Sequence, residues 1–361
     1  MKNKGFTLVE LLAVIAILAL LVIIALPNVL KMFNQAKKDT FLTESKNIYK
    51  EISKKYISET MKGNKINIIS NTNNQLDLES NNLKYNIKLK GDGSIKKFQV
   101  SNGTYCLSGK FNNLSELTTD KITEGKCEET PPKNFSTDSW ETIVEAVEEG
   151  NTSKYNVGDT KDVELEGYGK HTLRIANKST PSECSTAGFS QTACGFVLEF
   201  ADIITTHKMN DASTNVGGWP ASSMYTFVNN DIYNAIPSEI KNAIIDTTVV
   251  SGHGKSDTEN FTSTDKLYLL TLKEIYTDWG AISYDTAKDL TRSLDYYTNI
   301  GVTTSSYSGA IKKNGTSPAR WWFRAAGSSA NRNFCGVSSN GRYNTDYATY
   351  TYGVSPAFRL G

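Results

Sequence analysis

A few residues near the start of the chain have the types and spacing to do chemistry. Lys2 and Lys4 supply positive charge, Gly5 a small flexible link, Phe6 an aromatic ring and Glu10 a lone acid. If the chain is cut between Gly5 and Phe6, a new α-amino group appears one helical turn from Glu10. An amine and a carboxylate at that spacing can neutralise each other, within one subunit or between neighbours packed side by side. An acid inside an apolar helix is costly enough that it is usually paired and functional. A simple anchor with a stray acid is the competing reading. A secretory peptide fits less well, because its cleavage site follows the apolar core at small residues. Leu30-Lys31-Met32-Phe33 offers no such site.

These residues need an element to position them, and the sequence supplies one. No charged residue occurs from Leu11 to Leu30. Twenty residues at about 1.5 Å rise make roughly 30 Å of helix, the thickness of a bilayer's hydrocarbon core. This predicts a membrane-spanning helix with the lysines cytoplasmic and the C-terminal side outside. Beyond it, Phe41, Ser45, Ile48, Ile52 and Tyr56 recur every three or four residues, an amphipathic stripe. Gly63 is the expected stop, giving one helix from Phe6 to about Met61.

Lys4-Gly5-Phe6-Thr7-Leu8-Val9-Glu10-Leu11-Leu12 resembles the class III signal of type IV prepilins and pseudopilins. The resemblance covers about the first 30 residues. It implies cleavage after Gly5 by a prepilin peptidase, N-methylation of Phe6, and an assembly role for Glu10. Pro27 falls where many members kink or melt the helix. The implied partners are other pilin subunits, homotypic and heterotypic, the peptidase, and the membrane before assembly. The implied destination is a cell-surface pilus.

The chain has 361 residues, enough for two or three domains. Hydrophobic residues make up 39% and charged residues 21%, so each part can bury a core. Charge is uneven. Residues 1–138 carry 20 basic and 14 acidic side chains (+6), and residues 139–361 carry 19 and 24 (−5). No basic run interleaved with aromatics suggests a nucleic-acid partner. The expected organisation is a leader (1–5), an apolar helix (6–30), a pilin head (31–130), a proline linker (131–135) and a globular α+β domain (136–361). In the head, Leu83, Tyr85, Ile87 and Leu89 alternate with polar residues as a half-buried strand does. Gly91-Asp92-Gly93-Ser94 reads as a turn, followed by a strand over 95–100 and another over 103–107. The fold class is α+β: a long helix on a small antiparallel sheet, then a separate α+β domain. That domain opens with a helix capped near Ser139 and carrying Trp140, Ile143, Val144 and Val147. Strands follow at 157–175, 196–200 and 267–272, with helices at 223–235 and 238–244.

Met209-Asn210, Gly217-Gly218-Trp219, 265–271, 319–324 and 352–360 follow one another in an order that resembles an uncharacterised domain family of Gram-positive surface proteins. That family is similar to the C-type-lectin-like fold of formylglycine-generating enzymes. The resemblance covers roughly residues 155–361. Ser355 stands where the family usually has arginine.

Candidate chemistry beyond the N-terminal motif is sparse. Cys106 with Cys127, and Cys184 with Cys194, are spaced for loop disulfides, free thiols being the alternative. Cys335 lacks the close second thiol that a copper site would need, so a lone thiol is expected. His171, His207 and His253 fit no metal spacing. Asp211, Asn229, Asn230 and Asp231 read as turn and cap residues rather than as a calcium site. Arg320, Trp321, Trp322 and Arg324 are the densest aromatic–cation cluster. Alternation along a strand turns Trp321 and Phe323 inward. Trp322 and Arg324 are left either as packing or as a surface for a glycan or protein ligand. The expected function is a structural fibre subunit with no catalytic role and no cofactor, its large second domain suited to surface contact or adhesion. The alternatives are a competence or type II secretion pseudopilin, or a membrane-anchored enzyme of formylglycine-generating-like fold.

Overall fold

A computed structural model describes residues 8–78, 83–125, 127, 131–279 and 290–361. Gly5 and Phe6 lie outside the described residues. The chain divides into two compact units, Met1–Glu129 and Thr130–Gly361.

The first unit is built on helix α1, Leu8–Met61. Its 54 residues span roughly 80 Å at helical rise. α1 runs through Pro27 without a break, so the helix is not melted there. The ring removes one backbone donor, which a long helix tolerates locally. At the C-terminal end Gly63 takes φ +83°, a left-handed conformation that suits glycine.

The two halves of α1 differ. The described large apolar side chains from Leu8 to Phe33 are 47–75% exposed, so no described residue covers them. From Phe41 onward the stripe does find cover. Phe41, Ser45, Ile48 and Ile52 are buried, and the Ser45 hydroxyl donates to the Phe41 carbonyl at 2.8 Å. The expected membrane span is not met. Among the described residues no helix is long and apolar enough to cross a membrane.

The cover is a five-stranded antiparallel sheet in sequential order: β1 (Ile68–Ser70), β2 (Lys84–Leu89), β3 (Ile95–Ser101), β4 (Tyr105–Gly109) and β5 (Ile122–Glu124). Alternation decides its inner face: Tyr85, Ile87 and Leu89 are buried with Phe98, Val100 and Leu107 against the α1 stripe. The β2–β3 turn shows why glycine is needed at position 93. Its φ is +82°, and a Cβ there would run into the ring of Tyr56, whose hydroxyl donates to Gly91 O at 2.8 Å. Cys106 on β4 is bonded to Cys127, 21 positions on. Closing a loop of this length removes disorder from the unfolded chain worth roughly 3 kcal/mol. Cys127→Ser should therefore lower the denaturation midpoint of this unit while leaving the second unit's transition in place. Two coincident, unchanged transitions in a denaturant titration would contradict this.

The second unit starts earlier than the linker suggests. Phe135 is fully buried and packs edge-on against Trp140 and Tyr155. Asp138 accepts the backbone N–H groups of Lys133 (2.7 Å) and Asn134 (3.1 Å) and the Tyr155 hydroxyl (2.9 Å). Burial alone would raise its pKa, yet these donors hold it below the usual aspartate value. Helix α2, Trp140–Glu148, follows, with the Ser139 hydroxyl accepting from Thr142 N at 3.1 Å.

Fourteen further strands follow among the described residues: β6 (Thr160–Leu165), β7 (Gly169–Asn177), β8 (Val197–Phe200), β9 (Thr205–Lys208), β10 (Thr247–Ser251), β11 (Phe261–Asp265), β12 (Tyr268–Leu269), β13 (Lys312–Asn314), β14 (Ser317–Ala319), β15 (Trp321–Ala326), β16 (Asn333–Val337), β17 (Tyr343–Tyr347), β18 (Thr351–Val354) and β19 (Pro356–Arg359). Short helices punctuate them: α3 (Ser223–Phe227) and α4 (Tyr233–Ala235) joined by a π turn, α5 (Ser238–Lys241), α6 (Leu272–Ile275) and α7 (Asp295–Asn299). One sheet has the order β12-β19-β8-β7-β6, the other β17-β16-β15-β18-β9. β10–β11 and β13–β14 are separate hairpins. The two large sheets are stitched at Ser355, between β18 in one and β19 in the other. Its hydroxyl donates to Phe200 O at 2.9 Å, so a small polar residue is packed here without strain.

One expected strand is shorter than its apolar pattern suggests. Of Leu267–Leu272, only Tyr268 and Leu269 pair in a sheet. The chain then turns into α6 because the Thr271 N–H donates to Glu274 Oε2 at 3.0 Å, a helix-start contact that competes with strand pairing. Three-residue β1 and β5 are too short to show a period in the sequence.

Candidate functional site

The processing and assembly residues can be placed in part. Glu10 stands exposed in the first turn of α1, where a carboxylate is favoured by the helix dipole. Pro27 lies on the exposed apolar half of the same helix. What this end can do is associate: it offers an apolar sleeve with one acid near its tip.

In the second unit the sequence left Trp322 and Arg324 open between packing and a ligand surface, and their burial rules out the ligand surface. All six residues of β15 are buried, because the strand is covered on both faces. The Trp322 indole N–H donates to His207 O at 3.0 Å and that of Trp321 to Ala310 O at 3.1 Å. Arg324 is fully buried and meets Glu274 in a two-pronged pair at 2.7 and 2.8 Å. Its remaining donors reach Leu269 O (2.9 Å) and Val250 O (3.2 Å). Alternation assumes a strand with one wet face, and β15 has none.

A second buried charge cluster surrounds Glu199 on β8. Arg174 donates to one oxygen at 2.9 Å, while Lys312 (2.8 Å) and the Tyr297 hydroxyl (2.9 Å) donate to the other. Burial works against the Glu199 charge, but the Arg174 and Lys312 cations hold its pKa below the usual value. Burial pushes Lys312 down to about 8, with Glu199 pulling the other way. Glu274, Arg324, Glu199 and Lys312 are all buried, so these pairs lie within the packing of the sheets, with Arg174 part-buried at the edge of the second.

The disulfides and remaining polar residues are structural in placement. Cys184 and Cys194 are bonded, closing a ten-position loop. Cys335 is a buried thiol on β16. Asn229 Oδ1 accepts the N–H groups of Lys266 (3.2 Å) and Leu267 (3.0 Å), pinning the entry to β12. Asp211 is exposed beside Lys208 at 3.8 Å. His171, His207 and His253 sit on three different segments; the His207 ring stacks on Phe227 at 4.2 Å.

The open site is one residue before β15. Arg320 is exposed, and its Nη1 donates to Asp346 Oδ2 (2.6 Å) and to the Tyr352 hydroxyl (3.0 Å). Asn344 Nδ2 donates to the same Asp346 oxygen at 2.9 Å. Arg320 also borders a cleft of about 520 Å³ formed with the β16–β17 turn, residues 338–345. Gly341, at φ +90°, closes that turn, and a Cβ there would strike the Tyr307 carbonyl. Beside it runs a row of rings, Trp322–Tyr352 (4.8 Å), Tyr350–Tyr352 (6.0 Å) and Tyr347–Tyr350 (5.4 Å), of which Tyr347 and Tyr350 are exposed. Sequence reasoning passed over this cleft. The available signal was Ser338-Ser339-Asn340-Gly341-Arg342, a turn between two strand-like runs, and loops carried by rigid sheets are common binding positions.

Comparison with known families adds two matches. Residues 1–26 match the prokaryotic N-terminal methylation motif. Residues 196–361 match a domain of unknown function, DUF6273. No curated protein and no solved structure matches the chain. The first match carries a type IV pilin-like signal. It implies cleavage by a prepilin peptidase and assembly with other pilin subunits, and it is consistent with a membrane-anchored precursor. Neither match speaks to a C-type-lectin-like fold.

Proposed function

We propose that the chain is a structural subunit of a type IV pilus or pilus-like surface fibre, without catalytic activity of its own. Its apolar N-terminal half of α1 anchors the precursor in the membrane and is transferred to the fibre core on assembly. The second unit is then displayed outward for surface contact. One observation carries this reading. The charge–glycine–aromatic–acid register of Lys4, Gly5, Phe6 and Glu10 opens a helix whose first half is apolar and uncovered while its second half is packed under a sheet. An uncovered apolar sleeve of this length needs a partner of lipid or of like helices.

Processing is the direct test. Mass spectrometry of the full chain extracted from the cell surface is expected to find an N-methylated Phe6 as first residue. Gly5→Val is expected to leave Met1–Gly5 attached and to keep the chain out of fibres, since a branched side chain replaces the small residue at the cut. A surface-extracted chain that retains Met1, or that begins beyond Leu30, would refute the reading.

A further inference from the structure

The cleft beside Arg320 has a composition that selects a ligand class. Two guanidinium groups, Arg320 and Arg342, line it together with the polar side chains of Ser338, Asn340, Asn344 and Thr345. No carboxylate is among its lining residues. Its volume of about 520 Å³ falls in the range of small-molecule sites and is far larger than a simple anion requires.

The two arginines are held differently: Arg320 is oriented by its pair with Asp346, which offsets part of its charge, while Arg342 brings a cation with no such pair among the described residues. Arg320 spends one nitrogen on Asp346 and Tyr352, which fixes the plane of the guanidinium while its other nitrogens stay available. Arg342 is exposed; its guanidinium lies 5.7 Å from the Tyr343 ring, and no ion pair of its own is found among the described residues. Tyr343 is itself seated edge-on against Trp279 (5.1 Å) and Tyr276 (5.9 Å), so the ring at the cleft wall is rigid. A fixed ring, a set of amide and hydroxyl groups, and two cations suit a ligand with C–H faces, many hydroxyls and a carboxylate. The exposed Tyr347 and Tyr350 extend the ring row past the Arg320–Tyr352 contact, so the surface could follow a ligand longer than one ring.

We propose that this cleft binds an acidic saccharide, with Arg320 and Arg342 taking the sugar carboxylate and Tyr343 a pyranose face. This rests on reading the second unit as the displayed surface of the subunit. It gives that surface a ligand chemistry.

The test uses the full chain in a detergent without a sugar headgroup, titrated calorimetrically with trigalacturonate, with neutral maltotriose and with inorganic phosphate. Trigalacturonate is expected to bind in a salt-sensitive manner, and maltotriose about tenfold more weakly or worse, the loss expected for one charge-assisted contact. Arg342→Gln is expected to weaken trigalacturonate by about the same factor. This variant removes an exposed side chain, so its melting curve should overlay that of the parent. Absence of trigalacturonate binding, equal binding of maltotriose, equal binding of phosphate, or an Arg342→Gln chain that binds as well as the parent would each overturn the proposal. Fibre incorporation separates this from the subunit reading. Arg342→Gln should enter fibres normally, and a chain that binds trigalacturonate yet never enters a fibre sinks the pilus reading alone.

Discussion

Glu274→Ala is expected to cost the second unit about 3–5 kcal/mol, the usual penalty for orphaning one partner of a buried ion pair. Glu274 is fully buried and receives both prongs of Arg324, the Thr271 N–H (3.0 Å) and the hydroxyls of Thr291 (3.0 Å) and Thr192. Alanine removes all of these at once. Among its remaining contacts Arg324 keeps the carbonyls of Leu269 and Val250 and a long one to the Thr192 hydroxyl (3.4 Å), neutral groups that cannot offset a full positive charge out of water. Against a typical domain stability of about 5–15 kcal/mol this is a large fraction. For a unit of this size it corresponds to a fall of roughly 6–20 °C in melting temperature. Glu274→Gln keeps most of the shape and should fall in between. Replacing the pair together, Glu274→Leu with Arg324→Met, should be milder than Glu274→Ala, because no charge is left buried. Near-ultraviolet circular dichroism reads the melt through the buried Trp321 and Trp322. A Glu274→Ala transition within about 2 °C of the parent would show that the pair contributes little here.

That pair also marks the limit of what the sequence makes legible. Long, strongly periodic segments declare themselves. The α1 stripe Phe41–Ser45–Ile48–Ile52 and the alternation of Tyr85, Ile87 and Leu89 both appear in the structure with the expected faces buried. So does α2 with its Ser139 cap, because capping chemistry is local. Non-local partnerships do not announce themselves. Glu274 reads as an ordinary acid on a short helix, and nothing within several residues hints that Arg324, 50 positions on, will meet it. Sheet order is equally hidden: β9 joins β18, and β19 lies beside β8, across gaps that no local pattern spans. Arg320 and Arg324 stand four positions apart, in the same phase of strand alternation, yet one is exposed and the other sealed. The difference is made by the layer that covers β15, which is built from other parts of the chain. The processing motif is the opposite case. Its chemistry is local, with charge, glycine, aromatic and acid in register, so it could be read without any fold.

Glu10→Leu should abolish fibre incorporation while leaving processing intact. Cleavage at Gly5 would leave a positively charged amine on Phe6, four residues from Glu10 along a helical face. In an apolar fibre core neither charge is stable alone, and breaking such a pair costs on the order of 3–5 kcal/mol. If the amine of one subunit meets Glu10 of its neighbour, the same pairing also sets the axial register of each arriving helix, because an apolar sleeve by itself slides with little preference. Leucine keeps the helix apolar and helix-favouring, so membrane insertion should hold or improve. The peptidase reads the neighbourhood of Gly5, so the mature terminus should still be Phe6. The expected result is mature subunit retained in the membrane fraction and absent from sheared surface fibres, read by mass spectrometry and immunoblotting of the two fractions. Glu10→Asp keeps the charge on a shorter arm and should restore part of the incorporation, which a purely steric role for the side chain would not predict. A Glu10→Leu chain found in fibres at the parental level would remove the acid from the assembly mechanism and favour a simple anchor.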